Sequence, residues 1–186
     1  MNFLNIYKIS KKEISHNIKN FLFLLLSFII FLTNFVIIYF GDVVSGDYSK
    51  TDIRALLLSI IHLQMYLIPL FCFILSYDAI LSEKESGTLD LLLSYRITLL
   101  DILLGKLFGN SFVFLISFIM GFSSVTIYLY ILGVKFLVLL KFILFSIWLS
   151  IIFNSFAIYV SIYSSDRTIV ISLAIFIWIF FLFLYD

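Results

Sequence analysis

The chain has 186 residues, 63% of them hydrophobic and 12% charged, with a mean hydropathy of +1.20, whereas a soluble globular domain runs nearer about 45–50% apolar and about 25% charged. Twelve basic residues nearly cancel 11 acidic ones, and one proline and one cysteine stand beside 23 phenylalanines. These proportions exclude a soluble enzyme, a disordered chain, a disulfide scaffold and a polycationic nucleic-acid binder. They leave a small integral membrane protein, too short to carry its own motor domain.

Residues 1–19 read as a cytoplasmic interfacial helix. At about 100° per residue, Phe3, Tyr7, Ile14 and Ile18 share one face, and Lys8, Lys11, Lys12 and Lys19 a neighbouring one, which suits an anionic membrane surface. Five charge-free runs follow: Asn20 to Gly41, Ala55 to Tyr77, Leu107 to Val134, Phe142 to Ser165 and Thr168 to Tyr185. They hold 22, 23, 28, 24 and 18 residues. A helix needs about 20 apolar residues to cross roughly 30 Å of hydrocarbon, so four runs clear that length and the fifth is marginal. Nothing alternates in the manner of a membrane β-barrel. The fold class is therefore all-α, a polytopic helical membrane protein with five predicted spans in a single transmembrane domain over residues 1–186. The first run is too long for a signal peptide and no A-x-A-like site follows it, so it is an uncleaved span.

Orientation follows from the basic residues. With the N-terminus cytoplasmic, the inner segments hold Lys8, Lys11, Lys12, Lys19, Lys84, Arg96, Lys106 and Arg167, and the outer ones Lys50, Arg54, Lys135 and Lys141. The four N-terminal lysines carry most of this argument.

The long hydrophilic segment is 78–106, DAILSEKESGTLDLLLSYRITLLDILLGK. Contact with a soluble partner is expected here. Ser82 with Glu85 fits a capping box, Ser86-Gly87-Thr88 a break, and Thr88 a cap for a turn through Leu89, Leu91, Leu92 and Leu93. Thr98 with Asp101 forms a second capping-box pattern that launches a helix into the third span. The leucine group is too short to span and too apolar for water, so it is expected to bury against the membrane domain, a partner, or both.

This segment resembles a known family. Glu83-x-Glu85-x-Gly87-Thr88-Leu89-x-x-Leu92-Leu93-Ser94, followed by Gly105-Lys106, looks like the signature of ABC-2 type permeases, the membrane subunits of ATP-binding-cassette exporters. Lys12-Glu13 before the first span, Pro69-Leu70 and Tyr77-Asp78-Ala79-Ile80 closing the second, and Trp178 and Tyr185-Asp186 in the fifth extend the resemblance. The combination is most similar to the NosY-like subgroup, permeases of copper-processing systems that mature nitrous oxide reductase. Two features depart from that pattern. Arg96 stands where the family usually has proline, and the family normally has six spans, so a truncated product or a fragment is expected.

The chain has no GxxxxGK[ST] phosphate cradle. The resemblance implies a separate ABC ATPase subunit, a homodimer of the membrane subunit, no cofactor, no nucleic acid, and a place in the bacterial cytoplasmic (inner) membrane. It further implies that Glu83, Glu85, Gly87, Thr88, Leu89, Leu92, Leu93 and Ser94 couple the chain to the ATPase, with Glu83 and Glu85 facing basic or polar groups of that subunit. The nearest rival is a haem-exporter membrane subunit; a rival of another class is a non-transporting membrane anchor or assembly factor. Within the second span, His62, Met65, Pro69 and Cys72 lie within about 80° of one another. Imidazole, thioether and thiol suit copper, which the subgroup makes relevant, although packing is the favoured reading of this stripe. Asn34, Gln64 and Asn154 are expected to hydrogen-bond between helices, and Gly105-x-x-x-Gly109 to permit a close helix approach. Tyr39, Tyr128, Tyr130, Tyr163 and Tyr185 read as interfacial anchors.

Overall fold

The computed structural model describes residues 2–45, 53–95, 97–164 and 166–185. Eight helices follow in chain order: α1 (Phe3–Ile18), α2 (Phe21–Ser45), α3 (Ile53–Ser76), α4 (Leu81–Glu85), α5 (Thr88–Ser94), α6 (Leu99–Ile131), α7 (Phe136–Tyr163) and α8 (Arg167–Tyr185). No strand occurs among the described residues. Arg96 and the outer segment containing Lys50 lie outside the described residues.

Helices α2, α3, α6 and α7 are long and apolar enough to cross a membrane, whereas α8 forms a shorter apolar helix, Arg167–Phe183 by that measure. Four of the five expected spans are matched outright, and the fifth falls on α8, a 19-residue apolar helix whose length is close to the about 20 residues that a crossing needs.

Charge marks where an apolar run ends, not where a helix ends. Helix α7 starts six residues before its expected boundary and takes Lys141 into its first turns, because a lysine stem lies along apolar surface while its ammonium reaches water. Helix α6 starts at Leu99, where both halves of the Thr98–Asp101 capping box form as expected. It ends before Gly133, whose φ of +87° turns the chain toward α7.

The α6 helix has 33 residues, about 50 Å at 1.5 Å per residue, so its first turns extend past the apolar layer. Helices α1 and α2 run beside it in the same direction, α1 along those first turns and α2 along the apolar part. Three glycines set the separation. A Cβ at Gly105 would lie 2.7 Å from the Ile9 side chain, one at Gly109 2.7 Å from Glu13, and one at Gly121 2.6 Å from Ile30. The Gly105-x-x-x-Gly109 pair thus does permit a close approach, and the helix that uses it is α1. Helix α3 packs along α7, and α8 rests on both.

The core is aromatic. Phe114, Phe118 and Phe122 stack along α6, and Phe142 of α7 closes on Phe122 at 4.9 Å between ring centroids. Several polar groups inside pair with one another. Gln64 donates to Asn34 at 3.2 Å, and Trp178 Nε1 donates to the Tyr66 carbonyl beside Pro69 at 2.9 Å, which ties α8 to the proline-bearing part of α3. Buried pairs of this kind hold membrane helices together where hydrophobicity cannot choose between helix and lipid.

Candidate functional site

The charged end of the bundle gathers around Lys106. This side chain lies five residues past Asp101 on α6 and is almost fully buried. Its Nζ lies 2.6 Å from Glu13 Oε1 on α1 and 3.1 Å from Glu83 Oε1 on α4. One ammonium therefore ties three helices together. Removing water from three charges is costly, and their mutual pairing offsets that cost. The packing of α1 on α6 continues on both sides: Asn2 donates its backbone N–H to Asp101 Oδ1 at 3.0 Å, and Ser10 Oγ donates to the Gly105 carbonyl at 2.9 Å.

Helix α4 has only five residues, too few to be stable alone. Tertiary partners hold it. The expected Ser82–Glu85 capping box does not form; the helix begins after Ile80 without a side-chain cap. Instead the backbone N–H groups of Ile80 and Leu81 both donate to Ser161 Oγ of α7 at 3.1 Å. Lys84 Nζ donates to the Ile162 carbonyl, and Arg167 of α8 grips Glu85 through Nε and Nη2, the shorter contact being 2.6 Å. Glu83, Lys84 and Glu85 thus join α4 to α6, α7 and α8 in succession.

Of the expected coupling residues, Glu83 is turned inward, 8% exposed, and cannot face a partner subunit as it stands. Its carboxylate belongs to Lys106. Glu85 lies at the surface on Arg167. Gly87, at φ +70°, supplies the left-handed residue that breaks the chain between α4 and α5. Thr88 is the first residue of α5 rather than its cap; its hydroxyl lies 2.9 Å from Ser86 Oγ. Leu89 and Leu92 pack inward against Ile80, Ile102 and Ile158. Leu93 and Ser94 are exposed, with Asp90, Leu91 and Tyr95 beside them. The leucine group divides: Leu89 and Leu92 bury against the bundle as expected, while Leu91 and Leu93 are exposed.

Behind this cluster a polar chain crosses four helices. Asn17 donates to Asn110 at 2.9 Å, Asn110 to Ser76 Oγ at 2.8 Å, Ser76 to Asn154 at 2.9 Å, and Asn154 to Ser111 Oγ at 3.2 Å. Sequence reasoning anticipated Asn154 as a helix linker, but not Glu13, Lys106 or Ser161 as partners of the polar segment. One signal was available: a lysine directly preceding 28 uncharged residues needs a counter-charge at the edge of the apolar layer.

The His62, Met65 and Cys72 stripe does not assemble. His62 is exposed and Cys72 wholly buried in the apolar core, and ten residues of one helix separate them by about 15 Å. No group of three or more His, Cys, Asp or Glu side chains placed to hold a metal occurs among the described residues. Beyond the end of α3, burial pushes the Asp78 carboxyl above its ordinary range, opposed by the nearby Arg167 guanidinium.

Comparison with known proteins bears on this arrangement. The family model of the ABC-2 family transporter protein matches residues 7–186. The probable ABC transporter permease protein NosY of Pseudomonas aeruginosa is 30% identical over 187 residues, covering 97% of this chain and 68% of the relative. The protein of the same name from Stutzerimonas stutzeri is similar to the same extent.

Proposed function

Because the chain belongs to the ABC-2 transporter family and is a NosY-like, multi-pass permease subunit working with a partner ATPase subunit, we propose that α4 and α5 are the elements through which that ATPase moves it. The observation that carries this reading is the division of labour within 78–106: α4 is fixed to α6, α7 and α8 through consecutive charged residues, while α5 presents Asp90, Leu91, Leu93 and Tyr95 outward. A force applied to α5 reaches the bundle through α4. The receiving surface is the outer face of α5 with Glu85 at its edge; Glu83 acts from inside by keeping α4 on Lys106.

Two ABC-2 membrane subunits are proposed to form a homodimer around the pathway, in a bacterial inner membrane with the N-terminus cytoplasmic. Helix α1 keeps Phe3, Leu4 and Tyr7 open beside the lysines, which supports contact of the N-terminal segment with the membrane surface. The proposed role of the system is copper-site maturation of nitrous oxide reductase, supported by the similarity to NosY permeases.

Co-purification tests the coupling role. The unmutated chain is expected to retain its ATPase, and Leu91→Asp combined with Leu93→Asp to lose it. Retention by the double variant would refute α5 as the receiving face, and no retention by the unmutated chain would favour a non-transporting anchor. The copper role is tested separately by expressing the chain in a strain that lacks its NosY permease. Restored copper content of nitrous oxide reductase is expected; unrestored content despite a bound ATPase would remove the copper reading alone.

A further inference from the structure

At the charged end of the bundle, a polar cleft of about 360 Å³ opens between α1, the start of α2, the end of α3 and α4. Asp78, Glu83, Lys12, Asn17 and Asn20 are among its lining groups. A second cavity, an apolar groove of about 390 Å³, runs between α2, α3 and α8 with Leu70, Phe73, Ala174 and Ile175 on its walls. The two share Leu22, Ile74 and Tyr77. A polar compartment thus meets an apolar one at the level where the spans begin. From Tyr77 to Leu70 the groove follows α3 for seven residues, about 10 Å into the apolar layer.

The polar cleft is chemically incomplete. Lys106 is occupied by Glu13 and Glu83, yet Glu83 Oε2 is buried with no hydrogen-bond partner. A buried carboxylate oxygen left unpaired is costly. Asp78 stands at the same wall and makes no ion pair within 4 Å among the described residues; burial raises its carboxyl, opposed by the more distant Arg167 guanidinium. Glu13 and Glu83 share one buried ammonium and Asp78 has no close cation, so this wall has room for another cation carrying N–H donors. The opposite wall has the reverse character. Lys12 supplies a charge there and Asn20 an amide group; Asn17 already donates to Asn110, and Asn20 Oδ1 already accepts from Leu22 N–H, so Lys12 and the positive end of the α2 dipole are what favour an anion on this side.

We propose that the cleft and groove together seat one phospholipid with a primary-ammonium headgroup, of the phosphatidylethanolamine class. The ammonium sits at Asp78 with Glu83 behind it. The phosphate faces Lys12 and the α2 N-terminus, and one acyl chain follows the groove toward Leu70 and Ile175. A choline headgroup has no N–H to offer Asp78, and a glycerol headgroup has no positive charge, so both fit the acidic wall poorly. The seat is separate from the outer face of α5 and does not require the coupling role proposed above.

The test is native mass spectrometry of the full chain released from micelles containing equal amounts of phosphatidylethanolamine, phosphatidylcholine and phosphatidylglycerol with identical acyl chains. The ethanolamine lipid is expected to be retained about tenfold over the other two, equivalent to about 1.4 kcal/mol. Asp78→Asn should reduce its retention to the choline level. Ile175→Trp, at a half-open groove position, should lower retention of the ethanolamine lipid without altering melting of the lipid-free chain. Equal retention of all three lipids, preference for the glycerol lipid, or no retained lipid would overturn the proposal. So would unchanged ethanolamine-lipid retention in either variant. If Asp78→Asn does not fold, the unmutated chain and Ile175→Trp still decide.

Discussion

Helices α4 and α5 adjoin, have five and seven residues, and are separated by Ser86 and Gly87, yet they are held in opposite ways. Helix α4 has no side-chain cap and no long apolar face, but charged or hydroxyl groups from α6, α7 and α8 fasten it. Helix α5 has no such polar tether to the bundle among the described residues; Leu89 and Leu92 hold it from one side while Leu91 and Tyr95 are 61% and 77% exposed. Directional bonds resist displacement, whereas an apolar contact can slide and then settle again. The pair teaches that a short polar segment in a membrane protein can combine a rigid attachment with an adjustable contact surface.

The largest way to break this comparison is Lys106→Met. It leaves Glu13 and Glu83 buried without their cation, a loss of about 3–5 kcal/mol, read as a lower melting midpoint in detergent. Adding Glu13→Gln and Glu83→Gln to the same chain should recover most of that loss, because the repulsion disappears with the charges. The leucines sharpen the contrast between the two sides of α5. Leu91→Asp with Leu93→Asp is expected to weaken ATPase binding at least about tenfold, or about 1.4 kcal/mol, measured by titration, while melting is unchanged. Leu92→Asp should do the converse and lower melting, since Leu92 packs inward.

The junction between the helices gives a smaller effect. Gly87→Ala meets nothing within 4 Å, so its whole cost is the left-handed backbone, about 1–2 kcal/mol, again visible in melting. Smallest is Glu85→Ala. Its pair with Arg167 is 42% and 52% exposed, and exposed pairs contribute under about 1 kcal/mol. Melting should barely move, while stimulation of the ATPase by the permease falls if Glu85 stands at the receiving edge. A large melting change would show that α4 depends on its exposed ion pair as much as on its buried one.

Much of the fold is legible in the residues, because apolar length and helix caps are local properties. The Thr98–Asp101 box and the apolar runs report themselves without knowledge of what they touch. The attachment of α4 is different. Ser82 and Glu85 have the right spacing for a cap, yet the helix starts earlier, where Ser161, far along the chain, accepts from the N–H groups of Ile80 and Leu81. Glu83 carries a motif that points toward a partner, but its direction is decided by Lys106 and Glu13, which only the approach of α1 to Gly105 and Gly109 brings within reach. The stripe of His62, Met65 and Cys72 is drawn out along α3 for a related reason: a helical wheel aligns residues in angle and ignores their separation along the axis.

The uninterrupted length of α6 has a mechanical consequence. Its backbone is approached most closely where Gly121 meets α2. From there the helix extends 22 residues back to Leu99 and ten forward to Ile131, about 33 Å and 15 Å. A stiff rod pivoting at Gly121 has unequal arms. A displacement of about 2 Å at Leu99 therefore becomes about 1 Å in the opposite direction at Ile131, so α6 is a lever that roughly halves a movement applied at its long arm.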